Sequence, residues 1–142
     1  MEKFIKMSLS VYLYFNGNCK EAIEFYSDVF GVADDDRQIT TYKNASDFGG
    51  NPEDADRIIR SSIKVGDMKI LMADVAKGSN LRQGNNFALQ FETRDENELR
   101  TVYDRLSEGG KVHLPLQDSF FTSLFANLTD KFGISWQLRL EK

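Results

Sequence analysis

Few residue types in this chain can do chemistry. Its 142 residues include one histidine, His113, and one cysteine, Cys19. A lone thiol beside a lone imidazole removes every Cys/His zinc pattern and any internal disulfide. Cys19 falls in the first turn of a helix, where free N–H groups lower a thiol pKa. No second cysteine or neighbouring histidine supports catalysis there. His113 lies between Val112 and Leu114 with opposite parity to both. It has no carboxylate close in sequence, so it reads as an edge or solvent-facing residue rather than a base. Asp34-Asp35-Asp36 lacks the spaced ligands of a calcium loop and reads as a solvated turn. What remains is a set of amides and aromatics: Asn86, Gln90 and Gln137, with Phe121 and Phe125. Such groups orient and stack a small molecule. The bland reading is amides that bond each other or water.

Strands must position these residues. Ile134, Trp136, Leu138 and Leu140 alternate with Ser135, Gln137 and Arg139. That period of two puts an apolar row on one face and a polar row on the other. Thr129-Asp-Lys-Phe-Gly133 is the turn that feeds this strand: Gly133 permits positive φ, and Asp130 bonds back to its own backbone. Asn86, Gln90 and Gln137 share the polar face by parity, and Phe121, Phe125 and Asn127 share parity among themselves.

Taken in order, Leu9–Phe15 is β-rich and Asn16-Gly17 turns the chain. Asn18 is the expected N-cap, with Glu21 three residues on. Ala22, Phe25, Tyr26 and Val29 recur at helical spacing, and Gly31 stops the helix. A second strand ends in Ile39–Tyr42. The polar stretch 43–56 is long for a structureless loop and reads as a flap or a disordered segment. Arg57–Val65 and Met68–Asp74 form a hairpin at Gly66-Asp67, and 75–83 is a linker. The pattern then restarts: Asn86–Glu92 as a strand, Asp95 capping a helix with Glu98 at the third position, and Gly109-Gly110 ending it. Lys111–Leu114, Phe120–Leu128 and Ile134–Leu140 complete the unit. The chain reads as βαβββ twice. It is an α+β protein, one domain over 1–142 made of two modules at about 8–75 and 84–142.

Composition bounds the function. The chain is 41% hydrophobic and 28% charged, ordinary for a globular protein. A net charge of −4 and a pI near 5.0 argue against a nucleic-acid partner. No apolar run is long enough to span a membrane or serve as a signal peptide, and one thiol suits a reducing cytoplasm.

Tyr12–Tyr26, Phe30-Gly31, Gly109–Val112, Pro115–Asp118 and Leu128–Trp136 closely resemble the PhnB-like branch of the vicinal oxygen chelate superfamily. That superfamily includes glyoxalase I, the bleomycin-resistance proteins and the extradiol dioxygenases. The likeness spans nearly the whole chain except 43–57. It implies that each βαβββ module forms half of a curved sheet, that two modules make a cup whose concave face is the site, and that two chains form a homodimer. Some members carry names borrowed from a demethylubiquinone methyltransferase; no cofactor motif here supports that name.

In metal-using members, four His, Glu or Gln ligands come from the first and last strands of each module. The resemblance places those positions at Val11, at Leu71 or Met72, at Asn86 and at Gln137. Valine and leucine have no donor, a thioether suits a hard ion poorly, and two neutral amides bring too little charge. The expectation is therefore no metal and no cofactor. Glyoxalase and dioxygenase activities would fall with the ion. The cup is expected to bind a small organic molecule through Val11, Met72, Asn86, Gln90, Phe121, Phe125 and Gln137. One alternative is an enzyme: a metal-dependent lyase, isomerase or dioxygenase with an unusual ligand set, or a metal-free catalyst. The other is a dimeric interaction module whose cup is filled by its own side chains, such as Met72, Phe121 and Phe125.

Overall fold

The computed structural model describes residues 6–45, 50–118, 120 and 123–141. The chain runs β1 (Val11–Phe15), α1 (Cys19–Phe30), β2 (Arg37–Thr41), β3 (Ile58–Val65), β4 (Met68–Asp74), β5 (Leu89–Thr93), α2 (Glu96–Ser107), β6 (Lys111–Gln117), β7 (Phe125–Thr129) and β8 (Ser135–Leu140). This is βαβββ twice, in the expected α+β class. Two compact units result, Met1–Leu81 and Arg82–Lys142. Their sheets have the orders β1-β4-β3-β2 and β5-β8-β7-β6. In each unit the first strand pairs in parallel with the last, and the other pairings are antiparallel. A parallel pair needs a long crossover, which the helix and the two intervening strands provide.

In the first unit, Leu13 and Phe15 of β1, Ile63 of β3, and Ile70 and Met72 of β4 are buried. They share one sheet face by register. α1 covers that face with Ala22, Ile23, Tyr26 and Val29. Each such side chain contributes about 1.5–3 kcal/mol relative to leaving it in water. An ion pair marks the same side: Arg37 of β2 meets Glu24 of α1 at 3.2 Å. In the second unit, Trp136 and Leu138 of β8 and Leu128 and Ala126 of β7 are buried with Leu99, Val102 and Leu106 of α2.

The two helix starts differ. Asp95 caps α2 as expected, accepting from Asn97 N at 2.9 Å and Glu98 N at 3.2 Å. Asn18 does not cap α1: its side chain makes no cap bond. The cap is distant in sequence. Asp74 Oδ1 accepts from Gly17 N at 2.7 Å and Cys19 N at 3.1 Å. An ionised oxygen is the stronger acceptor for helix N–H groups, so a carboxylate at the end of β4 displaces the local amide.

Several boundaries move. β2 ends at Thr41 because Tyr42–Asn44 is a helical turn. β6 runs past Pro115 to Gln117. Proline is tolerated because β6 is an edge strand. β7 starts at Phe125, not Phe120, and β5 starts at Leu89, which leaves Asn86 in a bend before the strand.

The described ends of the expected flap, 43–45 and 50–56, are tied together, and 46–49 lie outside the described residues. Tyr42 N donates to Arg57 O at 2.9 Å and Lys43 N to Ala55 O at 3.0 Å. Lys43 Nζ meets Asp56 at 2.8 Å, and this cation holds the Asp56 carboxyl below its usual pKa. Arg57 ties these ends to the β1–α1 turn, donating to Asn16 Oδ1 at 2.9 Å and to Val75 O at 2.8 Å.

Candidate functional site

The position of β8 is decided at the turn before it. Asp130 is buried and accepts from Phe132 N at 2.8 Å, Ile134 N at 3.1 Å and Trp136 Nε1 at 2.9 Å. Gly133 takes φ 87° to complete the turn. These bonds lock the register of β8, so Trp136 and Leu138 meet α2 and Gln137 points to the opposite, helix-free face.

On that face Gln90, Gln137 and Asn127 form one row. Gln90 pairs with Gln137, and Gln137 pairs with Asn127. The row crosses β5, β8 and β7, with neighbouring strands about 4.8 Å apart. Gln90 and Gln137 are exposed and Asn127 is half-buried. None of the three amides has a hydrogen-bond partner among the described residues. The next row holds Glu92, Arg139 and Phe125. Arg139 Nε and Glu92 Oε2 lie 2.9 Å apart, so this charge is neutralised internally. Phe125 is buried at the end of β7. Two rows further, Thr129 pairs with Ser135. His113, at a register shift in β6, reaches Thr129 Oγ1 with Nε2 at 2.8 Å. The bulge re-aims an imidazole that plain alternation leaves without a partner.

Of the residues expected to line a site, Gln90, Gln137 and Phe125 stand on the helix-free face of the second sheet. Asn86 lies upstream of the strand and exposed, so period-two parity does not carry back to it. Phe121 lies outside the described residues. Val11 and Met72 stand elsewhere. Met72 is 0% exposed and pairs with Leu13 and Ser61. It lies on the α1 side, as does Val11, which pairs with the buried Ile70. The alternation of β1 explains this: Val11, Leu13 and Phe15 form the aliphatic and Phe row that the helix covers. Tyr12 and Tyr14 form the other row. Their rings stack with centroids 4.9 Å apart at 16°, and Tyr14 is 54% exposed. Sequence reasoning passed over this tyrosine pair although the alternation of Tyr with Val, Leu and Phe was its signal. It also passed over Asp74, whose partners lie 16 to 57 residues away.

The structure tests the metal site through its donors. On the helix-free faces, the paired first and last strands offer Tyr12 with Leu71 in one unit and Gln90 with Gln137 in the other, and the Glu92 carboxylate in the next row is already paired with Arg139. A leucine, a neutral phenol and two neutral amides do not suit a hard divalent ion, which takes imidazole or carboxylate ligands. Among the described residues no group of three or more His, Cys, Asp or Glu is placed to hold a metal. The two reactive-looking side chains are spoken for. Burial first, then the Asp74 carboxylate, pushes the Cys19 thiol up to about 12, against a bond with Ser61 that lowers it. Tyr42 donates its hydroxyl to Asp74 O at 3.0 Å, and burial, then Asp54 and Asp74, raises its pKa.

Comparison with known proteins then decides the family. Residues 7–139 match the protein-family model described as 3-demethylubiquinone-9 3-methyltransferase. The chain belongs to this PhnB-like family. It is 30% identical to Protein YjdN of Escherichia coli (strain K12), across 96% of this chain and 97% of that one. Among solved structures, PA1353 from Pseudomonas aeruginosa superposes with a TM-score of 0.81 at 24% identity, covering 94% of this chain and 98% of the other. A Bacillus cereus protein described as a putative 3-demethylubiquinone-9 3-methyltransferase, PhnB protein, gives 0.75 at 25% identity, covering 95% and 100%. The fold extends to a fosfomycin resistance protein, FosX from Listeria monocytogenes, described in complex with Mn(II), with a TM-score of 0.64 at 10% identity over 96% and 94%. The PhnB-like chain thus has the glyoxalase/bleomycin-resistance fold of the vicinal oxygen chelate superfamily.

The methyl transfer in the family description calls for a nucleoside cofactor, and the residues here do not fit one. In open α/β folds such cofactors sit at the switch point of a parallel sheet, against a free helix N-terminus. Each sheet of the PhnB-like chain has one parallel pair, and the N–H groups opening α1 are already taken by Asp74. No helix among the described residues is long and apolar enough to cross a membrane.

Proposed function

We propose that this PhnB-like protein binds a small organic molecule without a metal, on the helix-free face of its second sheet. One observation carries the reading: Gln90, Gln137 and Asn127 stand in register across three strands with no partner among the described residues. Amides not needed by the fold offer donors and acceptors at the spacing of the strands. The closed Glu92–Arg139 pair keeps the neighbouring row neutral, and Phe125 in that row is buried. The reading includes the homodimer that the family likeness implies, and a cytoplasmic setting in which the buried Cys19 stays a thiol.

The test is a thermal-shift screen of neutral amides, heterocycles and aromatic metabolites, with calorimetry on any hit. Gln137→Ala is expected to weaken a genuine ligand by roughly three- to ten-fold, the worth of a net hydrogen bond, with the melting temperature of the free protein unchanged. A screen without hits, or hits indifferent to Gln137→Ala and Gln90→Ala together, overturns it. Light scattering at micromolar concentration tests the dimer, and a monomer throughout removes it from the reading.

A further inference from the structure

The helix-free face of the first sheet has a different chemistry. Strand alternation places Tyr12 and Tyr14 of β1, Lys69 of β4, and Arg60 and Lys64 of β3 on it. Its strand residues bring three cations and no carboxylate, in a protein of net charge −4. Arg60, Lys64 and Lys69 are exposed, and none makes an ion pair among the described residues. Lys64 and Lys69 are direct cross-strand partners. Like charges in that position oppose the pairing of the two strands. Lys69 sits one row beyond Tyr12, because Tyr12 pairs with Leu71. The stacked pair Tyr12–Tyr14 lies along the edge strand, with Tyr14 open to solvent. The fold needs neither feature, since the core of this unit lies on the α1 side.

We propose that this face binds an aromatic carboxylate. The ligand's ring lies against the Tyr12–Tyr14 pair, and its charge is met by Lys69 and Lys64, with Arg60 adding to the field. Stacking supplies the contact area, and the anion relieves the opposed lysines. A neutral ring loses the charge attraction, and a small anion without a ring loses the stack. A nucleic acid would share both contacts, but the net negative charge of the chain repels a polyanion.

The experiment is calorimetry on the full chain with 2-naphthoate, its neutral counterpart 2-naphthamide, acetate and a ten-residue oligothymidylate, at low salt and at high salt. Naphthoate is expected to bind at least about three-fold tighter than the amide, and to weaken as salt screens the lysines. Tyr14→Leu and Lys69→Gln are each expected to weaken it roughly three- to ten-fold. Lys69→Arg is expected to retain binding. Lys20→Gln, an exposed charge change on α1, is expected to leave it unchanged. Circular dichroism and melting temperature confirm that these surface variants fold. The proposal is overturned by no binding of naphthoate at millimolar concentration, by equal binding of the amide, by indifference to Tyr14→Leu and Lys69→Gln, by an equal effect of Lys20→Gln, or by tighter binding of the oligonucleotide. It does not depend on the amide row of the second sheet: a screen that finds no ligand for Gln90, Gln137 and Asn127 leaves it standing.

Discussion

Asp74 Oδ1 accepts the backbone N–H of Cys19 at 3.1 Å, joining the last residue of β4 to the first residue of α1. The same carboxylate accepts from Gly17 N at 2.7 Å and, through Oδ2, from Ile58 N at 3.0 Å. One buried side chain, 4% exposed, therefore holds the β1–α1 turn, the helix start and the beginning of β3 together. Asp74→Ala leaves two buried N–H groups, of Cys19 and Ile58, and the part-buried Gly17 N–H without their acceptor and is expected to cost about 3 kcal/mol. Asp74→Asn keeps one oxygen and is expected to cost less. Urea unfolding measures both, and a loss under about 1 kcal/mol for Asp74→Ala contradicts this role.

The thiol of Cys19 is expected to be inert. Burial raises its pKa to about 12 from 9.0, with Asp74 adding to the rise. Ellman's reagent at pH 8 should therefore react only with unfolded chain, at a rate that follows unfolding. The same shift gives a sign to the pH dependence. Below pH 9 the thiol is protonated in both states and its contribution is complete. Above that the unfolded chain releases a proton that the folded chain keeps, so stability falls as pH rises toward 12. Cys19→Ala should flatten that part of the stability curve. A slope identical to that of the parent protein would show that the thiol is not its source.

Gly110 follows the C-terminal end of α2 where the chain presses on β7. A Cβ there would collide with the Thr129 carbonyl and come within 3.0 Å of Asp130 Cα. Both are backbone atoms held by the Asp130 turn and cannot swing aside as a side chain would. Gly110→Ala is expected to cost roughly 1–3 kcal/mol from overpacking, read as a lowered denaturation midpoint. An unchanged midpoint would mean that the end of α2 moves freely.

The donor set leads to a gain-of-function test. Calorimetry with nickel, zinc and manganese is expected to find no stoichiometric micromolar site in the parent protein. Because Gln90 and Gln137 are neighbours in register on parallel strands, Gln90→His with Gln137→His places two imidazoles side by side. This pair is expected to bind nickel and zinc. Tight binding by the parent protein would remove the metal-free reading, and failure of the double variant would show that the two positions do not converge.

The last turn and strand were the most legible stretch. Ser135–Leu140 alternates without exception, and Asp130 and Gly133 bracket its turn, so local chemistry predicts both the strand and the direction of Gln137. β1 misled because the family likeness assigned Val11 to the site. Its own alternation put Val11 with Leu13 and Phe15, the row that α1 covers. Asn86 misled in another way, since parity holds only inside a strand and the strand starts three residues later. The cap of α1 was read locally as Asn18, whereas an ionised acceptor 55 residues away from Cys19 takes its place.

By itself the sequence determined what periodicity and turn chemistry encode: the βαβββ repeat, the helix bounds within a residue or two, and two rows on every strand. It also determined that histidine and cysteine occur once each, which is a matter of residue type. Only the tertiary structure decided which row of each strand meets a helix, because period two marks two faces without saying which one is covered. Only the structure brought together Gln90 with Gln137 and Asn127. Those relations depend on strand register, which is set by hydrogen bonds between segments far apart in the chain.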